Sequence, residues 1–413
     1  MPSFINALIA TERDDTGDRA AARRHVGALS LSKIADGLLD PKLVLSWLLT
    51  SLGAPAFFTG MLVPIREAGA LLPQLVLGAW LTGMRQRRWM WVVGSAGQGA
   101  AAALIALAAL WTEGWLAGLL ICLCLAGLAI ARAASSVSYK DILGKTVAQT
   151  WRGGVTGLAG SLSAAAILVF ATLMIVGVLR NEAALIGAVG LAAVLWGLAA
   201  LVLAGLREEH STPDEPQKAG QRYLDILRND ANLRRFIAVR GLLVSVALAP
   251  PYMVMLTAQE AGALGALGGL LLASSAASLL SSYAWGRMAD RDSPRVLALA
   301  GGLSALAMGA AVCAALLGLA QIPGIIPFIL FVLMLAYHGI RQARSVYLVD
   351  ISDEARRSQN AALANTVIGL LLLLVGAFGG VLSIIGPILA LTGFALLAGV
   401  GGLLALSLRP VTS

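Results

Sequence analysis

Charge is the scarcest resource in this chain: Asp, Glu, Lys and Arg make up 13% of its 413 residues, against about 25% in a soluble domain. Most of the chain must therefore face lipid or other apolar helices, and no soluble enzyme domain fits in the remainder. Cysteine is nearly absent. Cys122, Cys124 and Cys313 lie inside apolar runs, which excludes a disulfide framework and thiolate metal ligation with CxxC spacing and leaves them as packing residues. A nucleotide-binding GxxxxGK[ST] loop, a metal-ligand cluster and a nucleophile elbow are also missing, so ATP hydrolysis is excluded, catalysis is not expected, and no cofactor is called for. The first 28 residues lack the unbroken apolar core of a secretory signal. They read as a cytoplasmic tail.

What the chain has instead is hydrophobicity, with 58% apolar or aromatic residues before its 46 glycines are counted and a mean hydropathy of +0.83. A membrane-spanning helix needs about 20 apolar residues. Spans are expected near 30–52, 56–81, 90–110, 115–138, 153–178 and 183–205, then, after a polar linker at 206–235, near 236–258, 262–286, 296–319, 324–347, 359–380 and 383–408. The reading is an all-α membrane protein of twelve transmembrane helices in two six-helix bundles, 29–205 and 236–408, with a short end at 409–413. Within the linker, QRYLDILRNDANLRRF alternates apolar and charged residues as a surface helix would.

The net charge of +8 expresses topology, and it does not suggest a nucleic-acid partner. One set of alternate connections carries Arg85, Arg87 and Arg88, then Lys140, Lys145 and Arg152, the linker, then Arg287, Arg291, Arg295, Arg356 and Arg357, while the other carries only Arg180. Basic loops stay in the cytoplasm, so both termini and the linker are expected there, in a plasma or bacterial inner membrane.

The halves also match in residues. RAASSVSYKDI from Arg132 aligns without gaps on RQARSVYLVDI from Arg341, and Gly78 precedes one basic loop as Gly286 precedes its counterpart. Parallel repeats of this kind are one of the architectures built for alternating access.

After the eighth span the chain reads YAWGRMADRDSPRV, which sets Gly286, Asp290, Arg291 and Arg295 in the pattern G-x-x-x-D-R-x-x-x-R. This resembles the signature loop of the major facilitator superfamily, and the resemblance extends over essentially the whole chain from about residue 29. It implies a secondary transporter in which the glycine lets two helices approach and the aspartate pairs across the cytoplasmic face, latching the outward-open state through charge-assisted bonds. The first-half copy keeps Gly78 but has Thr82 where the aspartate would lie. Arg132 stands where many members of the family carry a buried arginine linked to proton transfer, and the fifth span lacks the glycine-proline motif of drug antiporters.

Ionisable residues inside spans are costly and usually functional. Lys33, Asp36 and Asp40 share one face of the first helix at i, i+3 and i+7, with Pro41 loosening the backbone, and Arg66 and Glu67 lie mid-span in the second. Burial raises a carboxyl pKa and a nearby cation lowers it. Asp40 and Glu67, with Asp36, are therefore candidates for proton coupling, and His338 is another. Lys33, Arg66, Arg132, Arg240 and Arg341 are candidates for substrate contacts or movable ion pairs. Static pairs fixing the first two helices, or a first span starting beyond Asp40, are the alternatives. Trp47, Trp285 and Tyr252 are expected to line a cavity or anchor at the lipid interface. The expected partners are lipid, protons and a small-molecule or lipid solute, carried by a monomer. A flippase or uncoupled facilitator of the same fold, and a non-transporting sensor or scaffold, are the competing functions.

Overall fold

The computed structural model describes residues 16–179, 181–208, 230–257, 263–351 and 357–409. Arg180, Glu260, Arg356 and linker residues 209–229, including most of the expected surface helix, lie outside the described residues.

The chain is helical throughout its spans: α1 (Thr16–Leu38), α2 (Val44–Ser51), α3 (Ala56–Leu71), α4 (Gln74–Thr82), α5 (Arg88–Trp111), α6 (Gly114–Thr146), α7 (Gln149–Ile175) and α8 (Glu182–Ala204) form the first half. The second half holds α9 (Ala231–Leu248), α10 (Pro250–Thr257), α11 (Ala263–Leu316), α12 (Ile325–Asp350), α13 (Arg357–Ile385) and α14 (Pro387–Ala405). Among the described residues, ten helical segments are long and apolar enough to cross a membrane, and Ala266–Ser281 is a shorter apolar one. This is a multi-pass membrane protein.

Two departures from the expected spans have local causes. The first helix begins at Thr16, within the segment read as a tail, because Ala22, Val26 and Leu29 bury against Trp91, Ile142, Leu143, Trp151 and Leu203. His25 joins this packing, bonded through Nε2 to Thr146 Oγ1 at 2.7 Å. The eighth and ninth spans run together as α11, broken only at Asp292, whose backbone is extended (φ −157°, ψ 83°). Asp292 accepts from the Arg295 backbone N–H at 3.0 Å, so it caps the second segment much as a helix N-cap does. Asp292, two residues beyond the aspartate of the loop pattern, thus caps this segment.

Prolines break the first span of each half in the same place. Residues 39–43 leave the helix around Pro41, and α9 gives way to α10 at Pro250. Proline has no N–H to donate and disturbs the preceding turn; the freed carbonyl of Pro41 is taken by Ser46 Oγ at 2.7 Å. Arg132 and Arg341 are 209 residues apart, and so are Pro41 and Pro250. The repeat seen in the loops therefore extends to the helix breaks.

The halves meet along two seams, α3 on α13 and α7 on α11. On the first, a Cβ at Gly376 would overlap the Pro64 ring. On the second, Gly268 lies so close to α7 that a Cβ there would stand 3.0 Å from the Met174 Cβ. Both contacts lie toward the face opposite the basic loops. Tyr252 and Trp47 are buried in this closed region, Tyr252 packed edge-on against Phe394 at 5.4 Å, so neither is a lipid-facing anchor. Trp285 is half-buried, its ring covering Gly339.

A side chain at Gly376 should wedge the first seam apart. Overpacking costs about 1–3 kcal/mol, and about 1.4 kcal/mol is tenfold in a population. Gly376→Leu is expected to raise labelling of a Thr59→Cys reporter by an impermeant thiol reagent from the non-basic face by an order of magnitude. Unchanged labelling would mean that this seam does not open.

Candidate functional site

The charges of the first two spans converge on α6 and the second half. Asp36 on α1 is the hub: its Oδ1 accepts from Arg66 Nη2 of α3 at 2.6 Å and from Arg132 Nη1 of α6. Arg66 is 7% exposed, whereas Asp36 and Arg132 retain 28% and 38%. The cluster is closed on the α3 side and open on the other. Above it, Lys33 donates from Nζ to the Thr156 carbonyl of α7 at 3.3 Å.

Asp40 is engaged differently. Its Oδ1 accepts from the backbone N–H groups of Lys42 at 2.7 Å and Leu43 at 3.0 Å. These donors are freed by the break at Pro41, so this carboxylate holds the broken backbone in shape. Lys42, buried, reaches across to the second half and places Nζ 3.8 Å from the Tyr337 ring centroid on α12, a cation–π contact.

Glu67 makes no hydrogen bond or ion pair among the described residues, although Lys42, Arg66, Arg132 and Arg344 are all near enough for their charges to act on it. It is a carboxylate in a ring of cations with no fixed partner. Adjacent on α3, Arg66 is committed to Asp36, as the roughly 100° turn between neighbours on a helix requires.

Among the described residues, the second half brings no carboxylate to this cluster. Arg240 on α9 is buried, donates Nη2 to Asn365 Oδ1 at 3.0 Å and leaves Nε unpartnered. Tyr337, Arg341 and Arg344 follow one another at i, i+4 and i+7 along α12. Arg341 is exposed and Arg344 half-buried, and neither has an ion-pair partner among the described residues. His338 has a buried Nε2 with no partner.

Of the sequence candidates, then, Lys33, Asp36, Arg66, Glu67, Arg132, Arg240, His338 and Arg341 gather around one space between the halves, and Asp40 supports its wall. Lys42, Arg344 and Asn365 join them. Lys42 reads in sequence only as an interruption beside Pro41, and its buried Asp-Pro-Lys setting was the available signal. The surroundings of Gly286 and of the Asp290 side chain lie outside the described residues; Arg291 and Arg295 are exposed, Arg295 pairing with Asp292 at 3.0 Å.

A second network, on the basic face of the first half, was hidden in the linker. Glu208, with a fully buried carboxylate, accepts from the backbone N–H groups of Arg87 and Arg88 at 3.1 and 2.8 Å. Asp141 pairs with Arg87 at 2.8 Å and Lys145 at 2.9 Å. The start of α5 is thereby tied to the ends of α6 and α8, in the half whose loop has Thr82 in place of an aspartate. Gly78 lies on α4 with open space around its Cα.

No protein-family model and no curated sequence matches this chain. Solved structures do. The peptide transporter POT superposes with a TM-score of 0.72 at 13% identity, over 98% of this chain and 97% of that one. A D-xylose-proton symporter gives 0.70 at 13%, over 95% and 98%, and the nucleoside transporter NupG 0.69 at 13%, over 94% and 98%. The fold is that of the major facilitator transporters, two pseudo-symmetric helical bundles around a central space. In this chain that space is lined by ionisable groups from both bundles.

Proposed function

We propose that this protein is a secondary active transporter that moves a small solute by alternating access and couples the movement to protons. The observation that carries the proposal is the charged space itself. It lies between two repeat-related bundles, is closed by glycine-lined seams on one face, and holds partly exposed Asp36, Arg132 and Arg341 toward the other. The basic face is taken as cytoplasmic from the loop charges, which makes the arrangement inward-facing.

Glu67 is the proton site that the geometry favours. Glu67 has no fixed partner among the described residues, so a proton there leaves no donor unsatisfied, and a bound solute or the rocking of the halves would draw off the cations that oppose it; Asp40 is instead tied through Oδ1 to two backbone N–H groups whatever its protonation. Asp36 is the movable ion-pair acceptor, shared by Arg66 of the closed side and Arg132 of the open side. Rocking that separates α1 from α6 would hand Asp36 wholly to Arg66 and release Arg132. The loop at Gly286, Asp290, Arg291 and Arg295 is assigned the latch for the opposite state.

Alternation is tested without a known solute. With the native cysteines replaced, Gly160→Cys reports access to the space beside Lys33. A Cβ at Gly268 would stand 3.0 Å from the Met174 Cβ, so Met174→Cys and Gly268→Cys need a separation of about 0.5 Å or more to reach disulfide Cβ spacing, about 3.5–4.5 Å. An impermeant reagent is expected to label Gly160→Cys from both faces, and oxidising the Met174–Gly268 pair should abolish labelling from the non-basic face only. Labelling from one face regardless of the cross-link would overturn alternating access.

A further inference from the structure

The repeat lets the two halves be compared position by position, and they differ in their acidic residues. At the 209-residue offset, Asp36 falls on Ser245 and Asp40 on Ala249; Glu67 falls on Ala276, or on Ser275 at the 208-residue offset of Gly78 and Gly286. No Asp or Glu occurs between residues 231 and 259, between 261 and 289, or between 293 and 349. Arg132 has Asp36, but its repeat mate Arg341 has no acidic counterpart in its own half. The same half adds Arg240 and Arg344.

Around the shared space stand seven cations, Lys33, Lys42, Arg66, Arg132, Arg240, Arg341 and Arg344, against three carboxylates, Asp36, Asp40 and Glu67. These groups act on one another in a continuous chain, Lys33 with Arg341 and Asp36, Asp36 with Arg66 and Arg132, Glu67 with Arg66, Arg132, Lys42 and Arg344, and Arg344 with Arg240. The surplus of four positive charges sits in a setting where like charges are poorly screened. Two features point to an anion site: Arg341 and Arg344 on one face of α12, which carry no ion pair among the described residues, and the buried Arg240 with an orphaned Nε.

We infer that the solute carried through this space is an oxyanion, a carboxylate or a phosphate, gripped by Arg341 and Arg344 in the position where the second half lacks the counterpart of Asp36. The inference rests on the transporter reading above and adds the solute's charge to it. Guanidinium groups suit the role because their planar forks donate two parallel bonds to carboxylate or phosphate oxygens. A division of labour follows. The first half holds the carboxylates that take up protons, and the second half holds the bases that take up the anion, so a proton on Glu67 leaves the cation ring free to engage the solute.

The test uses the purified full chain in nanodiscs, with succinate, inorganic phosphate, choline and glucose as probes. Succinate or phosphate is expected to raise the melting temperature, and choline and glucose to leave it unchanged. Which of the two anions acts identifies the oxyanion. Arg341→Gln and Arg344→Gln should each weaken anion binding at least tenfold, with Lys at either position intermediate and Arg235→Gln without effect. Because Arg344→Gln relieves like-charge repulsion, the ligand-free variant should melt higher than the parent, which shows that it is folded. Equal stabilisation by choline or glucose, absence of any anion-dependent shift, or anion affinity unchanged in both Gln variants would overturn the inference. Counterflow in proteoliposomes separates it from the transport reading. Arginine-dependent anion binding without counterflow overturns transport and leaves the anion site, while counterflow of choline or glucose leaves transport and overturns the anion.

Discussion

Glu67→Gln is expected to abolish solute accumulation driven by a pH gradient while leaving solute exchange within about twofold of the parent. Glutamine is nearly isosteric with the protonated carboxyl, so it fixes the side chain in one of the two states between which coupling must alternate. The effect should be confined to coupling, because among the described residues Glu67 supplies no hydrogen bond or ion pair that holds helices together. Asp40→Asn is the contrasting case. Its amide oxygen still accepts from Lys42 and Leu43, and coupling should survive. Proton flux in proteoliposomes, normalised to folded protein, reads both. Coupling intact in Glu67→Gln would remove Glu67 from the mechanism and transfer the role to His338 or to Asp36 with Arg132.

Asp36→Asn is expected to have the largest effect on stability. It leaves Arg66, buried, and Arg132 without their shared anion, and breaking a buried pair from one side costs about 3–5 kcal/mol. The 28% exposure of Asp36 puts the loss near the lower end of that range, still enough to reduce expression several-fold. Removing the charge on the other side should restore most of it. In Asp36→Asn/Arg66→Gln no guanidinium is stranded on the closed side, so a double-mutant cycle is expected to show a coupling energy of about 2 kcal/mol. Additive losses, measured by thermal melting in the same lipid, would refute the hub.

Much of this was legible in the chain itself. Apolar runs give the spans because in lipid every backbone polar group must be satisfied within the helix. The gapless match of the segments from Arg132 and Arg341 exposed the repeat, since paired halves must face each other at equivalent heights. The Gly286 to Arg295 pattern indicated the fold that the superpositions then showed at only 13% identity. Expensive charges marked the site for the same reason that apolar runs mark the spans.

Sequence determined which residues are costly to bury; it did not determine what each one does there. Asp36 and Asp40 look alike along one helix face, yet one bridges two arginines and the other caps a break. That difference depends on where α3 and α6 come to rest. Lys42 was masked by its neighbour Pro41, and Glu208 by the polar linker around it, because both are recruited by residues far away in the chain. The carboxylates of the first half's spans, and their absence at the repeat-equivalent positions of the second, were present in the sequence. Only the tertiary structure brought those halves around one space, and with that convergence a list of separated charges became an electrostatic field of net positive sign.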